Sequence, residues 1–281
     1  MLISRKKRNF LQAVTYVVLI GFSLYCIFPF LWMFVTSIKP TKEIRSVTPS
    51  LWTDAPTFMH FNNVLNNSAF LTFFKNSMFI AVTVTIMAIL ISIFAGYSLS
   101  RYLRFKGIKL FSVAMLLSQM IPGVLLLIPL YMIMSNMGLI NSYLSLILAY
   151  TTFTVPLCTF MMKSFFDSIP FEMEEAAEID GCSKIGTIFR ILLPVSLPSL
   201  VSTSLFAFLN AWNEFMFGFV FINDEAHRTL TPGISLFKGL YQTDWGSLMA
   251  SSVLSVLPVV ILFIFLQRFI VEGMTAGSVK G

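Results

Sequence analysis

The chain has 281 residues, of which 57% are hydrophobic and only 11% are charged, and its formal net charge is +6. A soluble domain carries roughly 25% charged residues, so this composition excludes a water-soluble globule. The positive charge needs no nucleic-acid partner, because Lys and Arg beside a bilayer are held by its anionic inner leaflet.

Five stretches contain no Asp, Glu, Lys or Arg, and each is long enough to cross a bilayer, which takes roughly 20 apolar residues. The stretch 110–162 has 53 residues, enough for two crossings, and Ser135–Ser142 in its middle carries the Gly and Asn of a turn. The alternation typical of a β-barrel is absent, so the sequence predicts an all-α membrane protein. The six predicted transmembrane helices are 11–37, 76–100, 110–134, 142–164, 195–220 and 247–270.

Loop charges predict how these helices are oriented. The segments on one side, which include both termini, carry thirteen Lys and Arg, whereas those on the other side carry six. Because cytoplasmic loops are enriched in these residues, both termini are predicted to be cytoplasmic. The first hydrophobic segment lacks a small-residue cleavage site, so it is predicted to stay as a helix of a single transmembrane domain, 1–281. The long outer segments 39–75 and 222–246 are candidate binding surfaces.

The third predicted helix contains candidates for a transport pathway and a gate. Ser118 and Gln119 are polar side chains that can line a pathway, although such residues also hydrogen-bond to neighbouring helices. Pro122 removes a backbone hydrogen bond beside Gly123, so this pair is predicted to kink the helix and to serve as the gate.

The segment 168–194, between the fourth and fifth predicted helices, has an unexpected charge. The overlapping range 163–190 contains six acidic and three basic residues, whereas a cytoplasmic loop is expected to be basic. Two short helices are predicted here, with Gly181 as a left-handed terminator of the first and Ser183 as the cap of the second. An acidic helix with apolar anchors at Phe171 and Ile179 fits the groove of another protein, and the alternative is a solvated acidic helix.

In the fifth predicted helix, Asn210, Asn213 and Glu214 share one face at helical spacing and are candidates to line the pathway. The alternative is an interfacial Glu214 that reaches headgroup water. Because the predicted helices contain almost no other ionisable residue, an ion-coupled secondary transporter is disfavoured.

Several classes of chemistry lack their motifs. No glycine is followed by lysine, so a phosphate-binding P-loop is absent, and no G-x-S-x-G motif supports an intramembrane serine protease. The two histidines, His60 and His227, stand far apart, and the three cysteines show no disulfide framework. We therefore predict no catalytic residue, no metal and no cofactor in this chain.

The acidic segment also contains a motif that resembles a known family. Glu175-Ala176-Ala177, Gly181 and Ile191–Pro194 resemble the EAA signature, E-A-A-x3-G-x9-I-x-L-P, of permease subunits in binding-protein-dependent ABC importers. Other stretches resemble the carbohydrate-uptake branch, in particular the second, six-span permease of maltose and multiple-sugar importers. They are Ser37–Pro40 with Glu43-Ile44, Asn76-Ser77, Asn210–Phe215 and Val271–Gly281.

The resemblance implies a type I ABC importer permease in a bacterial or archaeal cell membrane. It implies four kinds of partner: a second, related permease, two cytoplasmic ATPases that hold Mg-ATP, an extracytoplasmic sugar-binding protein and the bilayer. The segment 168–194 would be the coupling helix that docks into the ATPase. A permease for glycerol phosphate, amino acids or peptides remains the alternative. The residues expected at the ATPase contact are Phe171, Glu172, Glu174, Glu175, Ala176, Ala177, Asp180, Gly181, Ser183, Ile191, Leu193 and Pro194.

Overall fold

The structure is a computed structural model that describes residues 5–48, 50–239 and 242–276. Over these ranges the regular secondary structure is helical, apart from one isolated antiparallel bridge between Lys238 and Thr243. The terminal stretch 277–281, which belongs to the family-like Val271–Gly281 run, lies outside the described residues. The helices are α1 Arg5–Ser37, α2 Thr41–Ile44, α3 Met59–Leu65, α4 Ser68–Arg101, α5 Lys106–Gln119, α6 Leu127–Asn136, α7 Tyr143–Ser168, α8 Glu172–Ile179, α9 Lys184–Thr187, α10 Leu193–Val195, α11 Leu197–Asn213, α12 Met216–Phe221, α13 Leu230–Ser235 and α14 Trp245–Ala276.

Six candidate membrane spans are present in the described part of the chain when each bent helix pair is taken as one span. Four are single helices, 8–37, 69–101, 143–168 and 245–269, with mean hydropathy between 1.6 and 2.6. The other two are bent pairs: 106–119 with 123–136 at 97°, and 184–195 with 197–213 at 86°. The prediction of an all-α membrane protein is confirmed.

Two of the predicted transmembrane helices, 110–134 and 195–220, are interrupted in the structure. Within 110–134 the α-helix stops at Gln119, and a 3₁₀ turn resumes at Gly123–Leu126 with Pro122 as its cap. Pro122 has no backbone N–H to continue the helical ladder, so the chain turns at this residue. Within 195–220 the helix stops at Asn213 and resumes at Met216, with Glu214 in an extended conformation (φ −67°, ψ 129°).

The turn between the third and fourth predicted helices has the expected local chemistry. Gly138 and Asn141 adopt left-handed conformations, with φ of 68° and 60°. Ser142 then caps α7, because its hydroxyl accepts a hydrogen bond from the Ser145 backbone N–H. The predicted turn at Ser135–Ser142 is confirmed.

The chain divides into two compact units, 1–67 with 234–256, and 68–233 with 257–281. In the first unit, the side chains of 8–31 along α1 are exposed, whereas Val35 to Lys39 at its end are buried. In the second unit, α4 packs against α7 and α11. Its core lies near the ends of these helices and includes Ile93, Met162, Phe166 and Leu192.

Candidate functional site

The segment 168–194, here called the elbow, joins α7 to α11 and is built from local sequence signals. Three Glu side chains lie in the first turn of α8, where a carboxylate interacts favourably with the positive end of the helix dipole. At its other end, Gly181 adopts φ +78°, and the backbone N–H groups of Gly181 and Cys182 donate to the carbonyls of Glu178 and Ala177. These two bonds form a Schellman motif, so the predicted role of Gly181 as a left-handed terminator is confirmed.

The second arm of the elbow starts at Ser183. Its hydroxyl accepts a hydrogen bond from the Gly186 backbone N–H at 3.2 Å, which confirms the predicted cap. The arm continues through a π turn, Ile188–Leu192, and α10 before the 86° bend into α11. Leu192 is fully buried in the core near Ile93, so this arm is packed against the unit rather than loosely connected to it.

Replacing Gly181 tests whether the turn must be stiff. Apart from its two chain neighbours, none of the described residues has an atom within 4 Å of a Cβ placed at Gly181, so the cost of a side chain is that of the left-handed backbone. We expect Gly181→Val to destabilise the turn by at least about 1–2 kcal/mol and to reduce ATP-driven uptake more than membrane insertion. Gly181→Asn is the matched variant, because Asn tolerates this conformation. Equal uptake by the Val variant and the wild-type protein would contradict a mechanical role for the turn.

A buried ion pair ties the elbow to the end of α4. The Arg101 Nε donates to Glu174 Oε1 at 2.5 Å, and the Tyr97 hydroxyl donates to Glu174 Oε2 at 2.8 Å. The side chains of Arg101 and Glu174 are only 10% and 5% exposed. Arg101 also donates to the Ile169 carbonyl at 3.2 Å, and its guanidinium lies 5.9 Å from the Phe171 ring centre. The Arg101 guanidinium therefore contacts both the residues just before α8 and Glu174 in its first turn.

A second, exposed link joins the other arm of the elbow to the chain just after α4. Lys184 Nζ donates to the Tyr102 hydroxyl at 2.9 Å. Exposed contacts of this kind add little stability. The buried pair of Arg101 and Glu174 is therefore the main polar connection between α4 and the elbow.

The structure corrects part of the predicted interface. Glu174 and Ala177 are 4% and 3% exposed within this chain, so their side chains are not available to a partner. Ile191 and Leu193 are half-buried, and Leu193 packs against the core that includes Leu192. The predicted interface residues that remain exposed are Phe171, Glu172, Glu175, Ala176, Asp180, Gly181, Ser183 and Pro194.

The exposed face of the elbow combines large apolar side chains with carboxylates. Phe171, Ile179 and Ile185 are 54%, 86% and 65% exposed, and Glu175 and Asp180 are exposed on the same short segment. Exposed apolar side chains rimmed by polar groups mark interaction sites. Sequence reasoning missed Ile185, Tyr97 and the role of Arg101, which it counted only as a loop charge.

The structure also revises the predicted pathway residues. The α-helix that carries Asn210 and Asn213 ends at Asn213, and Glu214 follows it in an extended conformation. Its carboxylate accepts hydrogen bonds from the backbone N–H groups of Phe217 and Gly218, at 2.9 and 3.1 Å, and thus caps α12. The prediction of one continuous helix through Glu214 is therefore wrong, whereas the role of Asn210, Asn213 and Glu214 in the pathway stays a prediction.

The other pathway candidates are exposed in this chain. The Asn210 amide and the Ser118 hydroxyl each donate to a carbonyl of their own helix, those of Phe206 and Met115 respectively. Gln119 and Asn213 are exposed. The predicted kink at Pro122 and Gly123 coincides with the 97° bend, whereas their role as a gate stays a prediction.

The segment 222–230 is held in place by Asn76 and Ser77, the pair that resembles the carbohydrate-uptake branch. The Asn76 amide donates to the carbonyls of Ala226 and Arg228 at 2.8 and 2.9 Å, and the Ser77 hydroxyl accepts from the Leu230 N–H. Within the segment, burial opposes ionisation of Asp224, but hydrogen bonds from the His227 backbone and ring hold the Asp224 pKa below its usual value.

Comparison with known proteins gives concordant matches. Residues 88–276 match a family described as the binding-protein-dependent transport system inner membrane component. The chain is 38% identical to the trehalose/maltose transport system permease protein of Thermococcus litoralis, over 92% of this chain and 93% of the relative. It is 36% identical to a diacetylchitobiose uptake system permease protein of Streptomyces coelicolor, over 91% and 92%.

A solved structure shares the fold. It is the crystal structure of a bacterial ABC transporter involved in the import of the acidic polysaccharide alginate, and the match has a TM-score of 0.80 at 21% sequence identity. The match covers 96% of this chain and 99% of the other. At this identity the likeness concerns the fold alone.

Proposed function

Because the chain belongs to the family of inner membrane components of binding-protein-dependent transport systems, we propose that it forms half of the translocation pathway of an ATP-driven importer for a sugar or oligosaccharide. The observation that carries the sugar assignment is the agreement among full-length relatives. The two relatives above are named as permeases of trehalose/maltose transport and diacetylchitobiose uptake systems, and another, from Halalkalibacterium halodurans, is named as a permease of an arabinooligosaccharide transport system.

The elbow is the proposed contact with a separate ATPase. This chain has no P-loop, so the energy of Mg-ATP hydrolysis must reach it through a protein contact. The exposed Phe171 and Ile179, with the carboxylates beside them, provide a surface for a groove of that ATPase. Because the opposite side of α8 is fixed to α4 by Arg101 and Glu174, a displacement of the elbow would move α4 together with α7 and α11.

The remaining partners and the orientation complete the proposal. Six helices enclose too little space for an oligosaccharide, so a second, related permease is proposed to complete the pathway. An extracytoplasmic binding protein would deliver the sugar, and the segment 222–230 is a candidate surface for it. With thirteen Lys and Arg on the side of the termini, we place both termini and the elbow in the cytoplasm of a bacterium or archaeon.

The test is ATP hydrolysis by the reconstituted complex. The chain is purified with the second permease and the ATPase encoded beside it, placed in proteoliposomes, and mixed with the purified binding protein. We expect trehalose, maltose or diacetylchitobiose to stimulate ATP hydrolysis only when the binding protein is present. The matched control is the binding protein without sugar.

The alternative cargoes are arms of the same experiment. Stimulation by glycerol phosphate, an amino acid or a peptide, with no response to sugars, would replace the carbohydrate assignment and leave the importer intact. No stimulation by any cargo, in a complex that binds Mg-ATP, would contradict the proposed function itself.

A further inference from the structure

A pocket lies at the end of α1, in the unit formed by 1–67 and 234–256. It has a volume of about 240 Å³ and is lined by Trp32, Thr36, Lys39, Glu43, Ile44, Trp245 and Met249. This open pocket has room for a ligand several times the size of a water, on the scale of one sugar ring. Two of its residues, Lys39 and Glu43, belong to the Ser37–Pro40 and Glu43-Ile44 stretches that resemble the carbohydrate-uptake branch. These stretches lie outside the elbow, so coupling to an ATPase gives them no role.

The Lys39 ammonium group is buried and has one hydrogen-bond acceptor among the described residues. Lys39 is 4% exposed, its Nζ donates to the Ser50 carbonyl, and it lies 5.1 Å from the centre of the Trp32 ring. An ammonium group has three N–H donors, so the described residues satisfy one of them and the indole face adds a cation–π contact. Burial of an unsatisfied polar group is costly, so a ligand acceptor in the pocket would complete the bonding of this group.

Two hydrogen bonds hold the backbone at Ile38 and Lys39. His60 is 1% exposed, and its ring nitrogen Nε2 is 3.0 Å from the Lys39 carbonyl oxygen. The Thr57 N–H donates to the carbonyl of Ile38 at 2.7 Å. The buried side chain therefore sits on a fixed backbone, as a pre-formed binding site requires.

The remaining lining residues indicate the chemistry of the ligand. Glu43 and Lys39 contribute one formal negative and one formal positive charge, so the lining favours a neutral, polyhydroxylated molecule over an ion. Trp245 is 48% exposed and provides apolar surface for the C–H face of a sugar ring, while Trp32 contacts the ammonium group. A hydroxyl can accept from Lys39 and donate to Glu43 at the same time.

We propose that this pocket binds a single ring of the transported sugar through Lys39, Glu43 and Trp245. The inference rests on the proposed function, because a sugar has to be the cargo. It makes the end of α1 a sugar-contacting site of this subunit, distinct from the elbow.

The test is saturation-transfer NMR on the assembled transporter in phosphatidylcholine nanodiscs, without ATP or binding protein. The probes are trehalose, maltose and diacetylchitobiose, with glycerophosphoethanolamine as a headgroup probe. We expect saturable binding of a sugar that is weakened at least tenfold by Trp245→Leu and by Glu43→Gln. The matched control is Trp52→Leu, since Trp52 is 62% exposed and is not among the residues that line the pocket, and we expect less than a twofold change.

Each other outcome has a defined meaning. Sugar binding that is absent, or that both pocket variants leave unchanged, would overturn the pocket, because the sugar would then bind elsewhere or not at all. Binding of glycerophosphoethanolamine alone would identify a lipid-headgroup site and also overturn it. If sugar-loaded binding protein still stimulates ATP hydrolysis in the same preparation, the proposed function stands without the pocket. If no sugar-loaded binding protein stimulates ATP hydrolysis, the proposed function itself is contradicted, independently of the pocket.

Discussion

Arg101→Met is expected to lower the free energy of unfolding by about 3–5 kcal/mol, because it leaves the Glu174 carboxylate buried without its cation. The Tyr97 hydroxyl, at 2.8 Å, would remain as a neutral donor to this carboxylate. The measurement is the thermal unfolding of the purified transporter in detergent, followed by intrinsic fluorescence.

Two variants make this prediction specific. The double variant Arg101→Met with Glu174→Met removes both charges, and apolar replacement of a buried pair is often neutral, so most of the lost stability should return. Lys163→Met breaks the nearby pair with Asp167, whose side chains are 23% and 41% exposed, and should cost less than about 1 kcal/mol. Equal losses in Arg101→Met and Lys163→Met would show that burial of the Arg101 pair has no special effect.

The same pair is expected to affect coupling. In the reconstituted transporter, Arg101→Met should retain ATP hydrolysis but lose at least tenfold in sugar uptake per ATP hydrolysed, because the elbow would no longer move α4. Lys163→Met is again the control and should keep the wild-type ratio. A normal ratio in an Arg101→Met protein that is folded would contradict the transmission of force through this contact.

Gly96→Val is the second variant with a large expected effect. A Cβ at Gly96 on α4 would lie 2.9 Å from Met162 Cβ, 3.0 Å from the Lys163 nitrogen and 3.1 Å from the Thr159 carbonyl oxygen on α7. Two of these atoms belong to the backbone, so the helices must separate to admit a side chain. Overpacking costs about 1–3 kcal/mol, and Gly96→Val should reach or exceed the upper end, while Gly96→Ala should lie lower.

The control for this prediction is Gly21→Ala on α1, where no atom lies within 4 Å of an added Cβ. This change should leave the unfolding temperature at or slightly above the wild-type value, because Ala favours the helix. Small residues let transmembrane helices approach closely, and α4 and α7 form the main pair of their unit. Wild-type stability of Gly96→Val would mean that these helices are not held at the distance described.

Features that depend on neighbouring residues were predictable from the sequence. Gly181 and Ser183 end and begin helices in the elbow because a left-handed glycine and a hydroxyl cap act within a few residues of their own position. The turn at Ser135–Ser142 follows for the same reason. Hydrophobic stretches predicted the candidate spans, because lipid requires each crossing to satisfy its own backbone hydrogen bonds.

Predictions failed where a long-range contact or a helix end decides the role of a side chain. Glu174 looks like its neighbours Glu172 and Glu175 in the sequence, yet it alone of the three is buried, against an arginine 73 positions away. In the sequence Glu214 continues the helical spacing of Asn210 and Asn213, but α11 ends at Asn213 and the Glu214 carboxylate caps α12. Spacing cannot reveal either outcome, because both depend on which backbone or charge is brought nearby.

The sequence by itself determined that this protein is a helical membrane bundle with an acidic elbow, because hydropathy, caps and turn residues act locally and lipid leaves few alternatives. Only the tertiary structure decided which elbow residues face outward and which bind α4, and that the buried Lys39 lines a pocket. Burial and the pairing of charges are properties of distances between remote parts of the chain, and these distances exist only after the helices have packed.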